Sequence, residues 1–344
     1  MASSETRPEG FAERLPDGRI RCLACQRGCV LATGDLGLCR TRQNQDGKLV
    51  PLSYGRVAAL HPAQVERKPL YHFYPGRVML SAGGLGCNFR CPGCQNRDLS
   101  FADVPDALTG IPRLSPEELV RRASEQGLLG ISWTYNEPAV WFEYTLDGAR
   151  LAKATGLKTN YVTNGSLTGE ALDEIGPYLD AYRVDIKGFS ADTYQRVANF
   201  PNYEGILDVA ERARHTWDMH VECVTNIIPT VNDAEDELRG IAGWIATALG
   251  PDTPWHVTRF APHGDLAHLP RTPLETLECA REIGLQEGLL FVYLGNVPGH
   301  RAENTWCPDC GTLLIERTRL GQVHCRLEAG ACPECGCGIL GRFD

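Results

Sequence analysis

Three cysteines, Cys87, Cys91 and Cys94, stand within eight residues of one another in the stretch GGLGCNFRCPGCQN, residues 83 to 96. Three thiolates on a tight loop can hold three irons of a cubane iron–sulfur cluster and leave the fourth iron without a protein ligand, as catalytic metal sites leave one position open. The alternative is a zinc site that a histidine such as His72 completes. The spacing alone does not decide between these two kinds of site.

Two further groups of cysteines lie near the ends of the chain. The motifs CPDC and CPEC have zinc-ribbon spacing and predict a structural zinc site with the ligands Cys307, Cys310, Cys332 and Cys335. An N-terminal set also suffices for a closed site with zinc or an auxiliary iron–sulfur cluster, since both accept four thiolates: Cys22, Cys25, Cys29 and Cys39. Cys325 and Cys337 have no assigned role. Cys223 and Cys279 stand alone and are predicted to be buried core residues.

The composition limits the class of protein. The 344 residues are enough for one large barrel-type domain with small appendages, and 43% hydrophobic residues can fill its core. No apolar run approaches the roughly 18 to 20 residues that cross a bilayer, so the sequence predicts a soluble, cytoplasmic protein that does not bind membranes. Fifteen cysteines, mostly in clusters, favour metal ligation in a reducing compartment over disulfides. A net charge of −9 without a basic stripe argues against nucleic acid as a partner.

The elements that must position the triplet are indicated by apolar runs that alternate with amphipathic segments, which is typical of βα units. The predicted strands are 77–83, 130–135, 158–164, 181–187, 220–226, 255–261 and 289–296. Between them lie predicted helices; one has Ser115 as its N-cap, Pro116 as its first residue and Gly127 as its stop, and segments 233–250 and 272–288 repeat this pattern. Six or seven such units predict an α/β fold, a partial TIM-like barrel with its chemistry at the carboxyl ends of the strands.

Polar residues recur at those carboxyl ends. Any one of them could be a helix cap or a hydrogen-bonded loop residue, which is the more common role for Asn226, Asn296 and His263 taken singly. Their repetition at one end of the strands is what indicates a site. The set comprises Asn136, Glu137, Thr163, Asn164, Asp185, Lys187, Thr225, Asn226, Arg259, His263 and Asn296.

A CxxxCxxC motif after the first strand of a βα barrel resembles the radical S-adenosylmethionine (radical SAM) superfamily. Further segments resemble one branch of it, the AmmeMemoRadiSam-system radical SAM family, a relative of the pyruvate formate-lyase activating enzymes. They run from about residue 20 to the C-terminus and include ERKPLYHFYPG, TYNEPAVWFEY, VTNG, VDIKGFS, NIIPTVNDAEDEL, VYLGNVPG and NTWCPDCG. Cysteine position divides the chain into a cysteine-rich extension (1–70), the radical SAM partial barrel (71–300) and a zinc-ribbon-like module (301–344).

The resemblance implies a 4Fe–4S cluster on the three cysteines, with S-adenosylmethionine bound to the open iron through its amino and carboxylate groups. The reduced cluster would pass one electron to the sulfonium, giving methionine and a 5′-deoxyadenosyl radical that takes a hydrogen atom from the substrate. The protein would contribute a water-poor cavity, the orientation of the reactants and control of the cluster potential.

Motif matching implies roles for the residues after the second and third strands. Glu137 in YNEP stands where the GGEP-like motif of the superfamily receives the methionine amino group. Tyr135 and Asn136 take the place of the glycines in that motif and belong to the same predicted cofactor-binding set. Asn164 in VTNG resembles the residue that bonds the ribose hydroxyls.

Later strands complete the predicted cofactor site. Asp185 and Lys187 in DIK match a pair that helps hold the cofactor, although they could also form only an internal ion pair. Lys187 or Arg259 could neutralise the methionine carboxylate. Asn226 is the remaining member of the predicted cofactor-binding set.

The residue just before the third cysteine of the motif differs from the superfamily pattern. Radical SAM loops usually carry an aromatic residue there, packed near the adenine, whereas this chain has Gly93. Adenine stacking must then come from another residue, for which Phe89 and Tyr135 are candidates. Glycine does not prevent the loop from bending, so the iron ligands are unaffected.

Three functions compete. The favoured one is a radical SAM enzyme that acts on a small molecule or a protein side chain. The second is an activase that abstracts a glycyl hydrogen from a large partner enzyme, and the third is a non-catalytic, metal-stabilised scaffold that does not cleave S-adenosylmethionine. The resemblance implies an electron donor of the flavodoxin or ferredoxin type and association with Memo-like and AMMECR-like proteins, but it supplies no substrate.

Overall fold

A computed structural model describes residues 11–318 and 320–343 of the protein. Eight strands form a mostly parallel sheet that does not close into a barrel, and helices lie between successive parallel strands. The predicted α/β class and the partial character of the barrel are confirmed. Within the described residues, no helix is both long and apolar enough to span a membrane.

All seven predicted strands are present, as β7 to β13. The sequence does not predict β6, which also belongs to the large sheet. The strands are β1 (Ala12–Arg14), β2 (Ile20–Cys22), β3 (Val30–Leu31), β4 (Arg42–Gln45), β5 (Lys48–Pro51), β6 (Ala59–Gln64), β7 (Val78–Gly83), β8 (Gly130–Trp133), β9 (Lys158–Thr163), β10 (Ala181–Asp185), β11 (His220–Ile227), β12 (Trp255–Arg259), β13 (Val292–Gly295), β14 (Thr305–Trp306), β15 (Leu313–Arg317) and β16 (Val323–Cys325).

Helices of one to four turns connect the strands. The α-helices are α1 (Arg97–Ser100), α2 (Val104–Ala107), α3 (Pro116–Glu125), α4 (Phe142–Ala154), α5 (Gly169–Ile175), α6 (Ala191–Ala198), α7 (Tyr203–His215), α8 (Glu235–Trp244) and α9 (Leu274–Gln286). A π-helical segment, Ile245–Leu249, extends α8. Short 3-10 turns are Val65–Arg67, Leu108–Gly110, Pro138–Trp141, Gly176–Tyr178, Gly264–Leu266 and Arg301–Glu303.

The chain divides into two compact units. Within the described residues, unit 1 comprises the chain up to Pro62, Met79–Arg90 and Cys94–Asp180, and unit 2 comprises Ala63–Val78, Cys91–Gly93 and the chain from Ala181 onward. The sequence-based division near residues 70 and 300 follows cysteine position and stays a prediction.

Unit 1 contains the parallel strands β7, β8 and β9. Leu80 pairs with Ile131, and every residue of β8 is buried, as expected for a strand covered on both faces. The start of α3 is as predicted, because the Ser115 side chain accepts a hydrogen bond from the Glu118 amide at 3.2 Å. Gly127 follows the helix with φ of +61°, a left-handed conformation that suits a glycine stop.

Unit 2 contains the parallel strands β10 to β13 in consecutive order. Its helices α8 and α9 do not repeat the predicted capping pattern, since their N-cap residues are Ala234 and Pro273, which make no side-chain cap. The polar residues just before them are engaged elsewhere. Asp233 accepts from the Thr230 amide at 2.9 Å, and the Thr272 hydroxyl donates to the Ile227 carbonyl at 2.7 Å. These side chains stabilise the preceding loops rather than the helix starts.

The two isolated cysteines differ in burial. Cys223 on β11 is fully buried, as predicted. The same prediction is wrong for Cys279, which is exposed on α9. The buried face of that helix comprises Leu277, Ala280, Ile283 and Gly284, so position 279 falls outside the apolar stripe.

A buried carboxylate organises the interior of unit 2. Glu222 on β11 is fully buried and accepts hydrogen bonds from His220 Nε2 at 2.8 Å and His256 Nε2 at 2.6 Å. It also accepts from the backbone amides of Tyr71 at 3.0 Å and His72 at 2.8 Å. Burial alone would raise the pKa of Glu222, but the hydrogen bonds from the two histidines hold it well below its ordinary value. Glu222 is therefore a charged residue that fixes the 71–72 segment to the sheet.

This region predicts a loss of stability in mild acid. Burial lowers the pKa of His72 to about 3, so His72 stays neutral in the folded protein in mild acid, whereas in the unfolded chain it takes up a proton below about pH 6.5. Burial also lowers the pKa of His256. The free energy of unfolding should fall by on the order of 1 kcal/mol per pH unit through His72 as the pH drops below about 6.5. Glu222, whose pKa is depressed, keeps its contribution until the pH falls below about 4.5.

Urea unfolding of the wild type and of His72→Gln at about pH 7 and about pH 5 measures this effect. The wild type should lose more stability between the two conditions than His72→Gln does. Because both proteins contain the same cysteine sites, acid release of metal affects them equally. Equal losses would contradict the assignment of His72 as a neutral buried group.

Candidate active site

The triplet loop, residues 84–96, begins directly after β7. Gly86 in it has φ of +80°, where only glycine is comfortable. A Cβ at this position would collide with the Cys39 carbonyl oxygen and lie 2.7 Å from Thr41 Cγ2. The loop can therefore pass this close to the N-terminal segment only because residue 86 lacks a side chain.

Asn136, just after β8, holds the start of the triplet loop. Its side-chain oxygen accepts from the Gly84 amide at 3.0 Å, and its Nδ2 donates to the carbonyls of Gly86 at 2.9 Å and Leu85 at 3.3 Å. The side chain is buried, so these bonds satisfy backbone groups that water does not reach. The structure places this predicted cofactor ligand in a positioning role that pattern matching did not indicate, and its contact with a cofactor stays a prediction.

The surroundings of Cys87 suit a thiolate ligand. The Phe89 amide donates to Cys87 Sγ at 3.4 Å, and hydrogen bonds to sulfur are one means by which a protein tunes a cluster potential. Arg90 Nη1 donates to the Cys87 carbonyl at 2.7 Å. Cys87, Cys91 and Cys94 are all partly buried, and none of them is in a disulfide.

Glu137 and Asn164 are brought together in unit 1. The buried Glu137 carboxylate accepts from Thr163 Oγ1 at 2.8 Å, from the Asn164 amide at 2.7 Å and from the Ala139 amide at 3.0 Å. These donors join the ends of β8 and β9. The Glu137 carboxylate thus has a defined orientation, and the residue before it, Asn136, holds the start of the triplet loop.

Asn88 connects the triplet loop to the VTNG segment, a link that sequence reasoning missed. Its Oδ1 accepts from Asn164 Nδ2 at 2.9 Å, and its Nδ2 donates to Ser166 Oγ at 2.6 Å. Asn164 Oδ1 in turn accepts from the Ser166 amide at 3.0 Å. The only sequence signal was the position of this buried asparagine directly after Cys87.

In unit 2, Asp185 and Lys187 form the ion pair that the sequence left open as an alternative. Lys187 Nζ lies 2.9 Å from Asp185 Oδ2, and Arg183 also pairs with Asp185. Burial would raise the pKa of Asp185, but these two cations lower it. Burial would lower the pKa of Lys187, but the Asp185 carboxylate and the nearby Cys91 thiol raise it. Lys187 is therefore a stable cation close to one cysteine of the triplet.

The remaining predicted cofactor residues of unit 2 have protein partners. Asn226 Nδ2 donates to Thr258 Oγ1 at 3.1 Å, and Arg259 Nε donates to the Thr272 carbonyl at 2.7 Å. Asn296 Nδ2 donates to the Arg259 carbonyl at 3.1 Å. These contacts join the ends of β11, β12 and β13, and cofactor binding by Asn226 and Arg259 stays a prediction.

The structure gives a reason for glycine before the third cysteine. A Cβ on Gly93 would lie 3.1 Å from Leu266 Cδ1 and 3.4 Å from Phe260 Cε2, so an aromatic side chain has no room there without displacing them. The two candidates for adenine stacking differ in their settings. Phe89 is only 1% exposed, and Tyr135 has a left-handed backbone with φ of +76°. Adenine stacking by either residue stays a prediction.

His72, the histidine proposed to complete a zinc site with the triplet, has protein partners at both ring nitrogens. His72 Nδ1 lies 2.9 Å from the Leu340 carbonyl oxygen, and Nε2 lies 2.7 Å from the Tyr293 hydroxyl. Both ring nitrogens are thus engaged within the core of unit 2. A metal ligand from His72 would have to give up one of these two hydrogen bonds.

The C-terminal cysteine site is assembled in unit 2. Its sulfur atoms lie within 4.8 Å of one another, and they belong to Cys307, Cys310, Cys332 and Cys335. Four thiolates bound at about 2.3 Å to one tetrahedral ion would be about 3.8 Å apart, so this donor set suits zinc. Gly311 and Gly336, both in left-handed conformations, close the two turns. Cys325 on β16 is exposed, and Cys337 is partly buried.

Comparison with known proteins assigns the chain to a family. Residues 83–242, which contain the triplet, Glu137, Asn164, Asp185 and Lys187, match the family model for the radical SAM superfamily. The chain belongs to the radical SAM superfamily. The enzyme class predicted from the sequence is thereby confirmed. This radical SAM enzyme is 39% identical over 328 residues to the uncharacterized protein MJ0808 of Methanocaldococcus jannaschii, covering 95% of this chain and 96% of that protein.

More distant likenesses cover part of the radical SAM enzyme. The pyruvate formate-lyase-activating enzyme of Clostridium pasteurianum is 26% identical over 169 residues, which is 46% of this chain and 66% of that protein. A crystal structure of a domain of the pyruvate-formate lyase-activating enzyme from Bacteroides vulgatus aligns with a TM-score of 0.42 and 18% identity, covering 48% of this chain and 98% of that one.

Proposed function

We propose that this radical SAM enzyme binds a 4Fe–4S cluster through Cys87, Cys91 and Cys94 and cleaves S-adenosylmethionine reductively at that cluster. The observation that carries the proposal is a donor set of three thiols on a loop whose backbone Asn136 holds in place. A three-thiol set leaves one iron of a cubane open for a ligand that is not protein. No fourth ligand is needed for this chemistry.

When bound, the cluster and S-adenosylmethionine supply a 5′-deoxyadenosyl radical that removes a hydrogen atom from the substrate. The residues of the chain bind and orient the reactants. Glu137 offers an oriented carboxylate for the methionine ammonium group, because Thr163 and Asn164 fix its two oxygens. Lys187, which is paired with Asp185, offers a permanent cation for the methionine carboxylate.

The substrate we propose is a small molecule or a protein side chain. A second candidate is a glycyl-radical activase, which the partial likeness to a pyruvate formate-lyase-activating enzyme favours. The proposal includes a cytoplasmic location, an electron donor of the flavodoxin or ferredoxin type, and the Memo-like and AMMECR-like partners of the AmmeMemoRadiSam system. Zinc is proposed for the C-terminal cysteine site.

Anaerobic reconstitution with iron and sulfide, followed by reduction with dithionite and addition of S-adenosylmethionine, tests the proposed reaction. Chromatography should detect 5′-deoxyadenosine and methionine in equal amounts. Reduced protein that carries its iron but forms no 5′-deoxyadenosine would favour the scaffold function instead. A glycyl radical signal in an added glycyl-radical enzyme would favour the activase.

Asn136→Ala is expected to weaken the catalytic cluster without removing a ligand to it. The substitution leaves the Gly84 amide and the Gly86 carbonyl without their partner, and loss of such supporting bonds lowers metal affinity or activity by roughly 10- to 100-fold. The measurement is iron retained after gel filtration, together with the electron paramagnetic resonance spectrum. Asn136→Asp, which keeps the acceptor for Gly84, should recover part of the loss.

Asn296→Ala is the matched control, since Asn296 also follows a strand and donates one side-chain hydrogen bond to a backbone carbonyl. This variant should retain its iron. If Asn136→Ala binds iron as tightly as Asn296→Ala, the positioning role of Asn136 is wrong.

A further inference from the structure

A cavity in unit 1 is lined by the four N-terminal cysteines, Cys22, Cys25, Cys29 and Cys39. Three of these thiols are buried, and Cys29 is half-buried. All fifteen cysteines of the chain lie in the described residues, and none of them forms a disulfide. Four reduced thiols that share one cavity are a complete donor set for a metal centre.

The spacing of the sulfur atoms distinguishes this cavity from the C-terminal site. The four C-terminal sulfurs all lie within 4.8 Å of one another, but no three of the N-terminal sulfurs do. Gly37 lies between two of them, since its ideal Cβ position is 3.6 Å from Cys39 Sγ and 4.0 Å from Cys29 Sγ. A cubane binds each thiolate to a separate iron, so its ligands stand farther apart than ligands that share one zinc ion. The wider spacing favours a cluster.

The charges around the cavity favour an anionic occupant. Arg42 is 2% exposed and forms two hydrogen bonds of 2.7 Å to Glu143. Its Nε is buried and has no hydrogen-bond partner among the described residues, although Arg42 lines the cavity. Arg27 is a second cation of the lining. A cluster with four thiolates carries net negative charge and sulfur acceptors, which would satisfy the unpaired Arg42 donor.

The cavity adjoins the triplet loop within unit 1. Asn88, the neighbour of Cys87, lines the cavity together with Cys25. The Arg90 side chain donates to the Leu38 carbonyl, one residue before Cys39. A metal centre in the cavity would therefore lie beside the first cysteine of the catalytic triplet.

We infer that Cys22, Cys25, Cys29 and Cys39 bind a second 4Fe–4S cluster. Four thiolates saturate its irons, so this cluster has no open position and does not bind S-adenosylmethionine. The inference depends on the N-terminal cavity alone and stands whether or not the triplet cleaves S-adenosylmethionine.

The test uses the full chain with all three triplet cysteines changed to alanine, reconstituted anaerobically with iron and sulfide. This variant should retain about four irons and four sulfides per chain, against about eight irons in the wild type. Its Mössbauer spectrum should be that of a cubane. After reduction, its electron paramagnetic resonance signal should not change when S-adenosylmethionine is added. Further substitution with Cys25→Ala and Cys29→Ala should remove the remaining iron, whereas further substitution with Cys279→Ala should not.

Three results would overturn the inference: zinc in place of iron in the triplet variant, a folded triplet variant that holds no iron, or iron that survives the loss of Cys25 and Cys29. If the triplet variant does not fold, Cys25→Ala with Cys29→Ala in the otherwise wild-type chain keeps the test decisive, because it should lower the iron content by about four per chain and an unchanged iron content would overturn the inference. None of these readouts requires turnover. A protein that retains the second cluster but forms no 5′-deoxyadenosine would disprove the proposed function and leave this inference intact.

Discussion

Cys91→Ala is expected to reduce 5′-deoxyadenosine formation to the background of a protein-free reaction. Three thiolates are the minimum that holds a cubane with one open iron, and two cannot fix that iron for its ligand. The fold should persist, because Cys91 is a partly buried loop residue outside the buried core. Product formation, iron content and far-ultraviolet circular dichroism of the anaerobically reconstituted variant measure these effects.

Cys279→Ala is the matched control for this loss, since Cys279 is an exposed cysteine on α9. That variant should cleave S-adenosylmethionine at the wild-type rate. Turnover by Cys91→Ala at the rate of the control would refute the assignment of Cys91 as an iron ligand.

Cys307→Ala is expected to remove zinc from the C-terminal site and to lower the stability of the surrounding segment. The free energy of binding a structural zinc ion is also free energy of folding, so a variant that loses the ion loses that stabilisation. Cys307 is buried among apolar residues that include Leu314 and Ile315, so the loss should spread into β15. Elemental analysis and limited proteolysis should show about one zinc fewer per chain and faster cleavage after residue 300.

Cys325→Ala provides the comparison within the same segment, because Cys325 is an exposed cysteine on β16 outside the four-sulfur group. It should keep its zinc and its resistance to protease. Iron in place of zinc at the C-terminal site would end this assignment, as would unchanged zinc content in Cys307→Ala.

The strands could be predicted because the residue types within each segment indicate a buried strand. Every residue of β8 is buried, and β11 is buried except at Asn226, and half of the residues in each strand are β-branched or aromatic. Helix starts were predictable only where the cap is local. Ser115 caps α3 as expected, but Asp233 bonds to the preceding loop, and nothing in the sequence distinguishes the two settings.

The candidate site also has parts that local sequence indicates and parts that only tertiary contacts reveal. The triplet could be picked out from the sequence, since its three cysteines lie on one loop, and its role as a set of iron ligands stays a prediction. The side-chain partners could not, because they depend on tertiary contacts between distant segments. Arg42 pairs with Glu143, 101 residues away, and Asn88 bonds to Asn164, 76 residues away. Asn136 was selected for the right place in the fold, but its bonds to the triplet loop appear only in three dimensions.

Electron–nuclear double resonance of the reduced protein, with S-adenosylmethionine isotopically labelled in its methionine carboxylate, tests the open iron most directly. The account predicts a hyperfine coupling between the label and a 4Fe–4S cluster, and that coupling should vanish in Cys91→Ala. Reduced, iron-loaded protein that shows no coupling, or zinc on the three cysteines of the triplet, would contradict it.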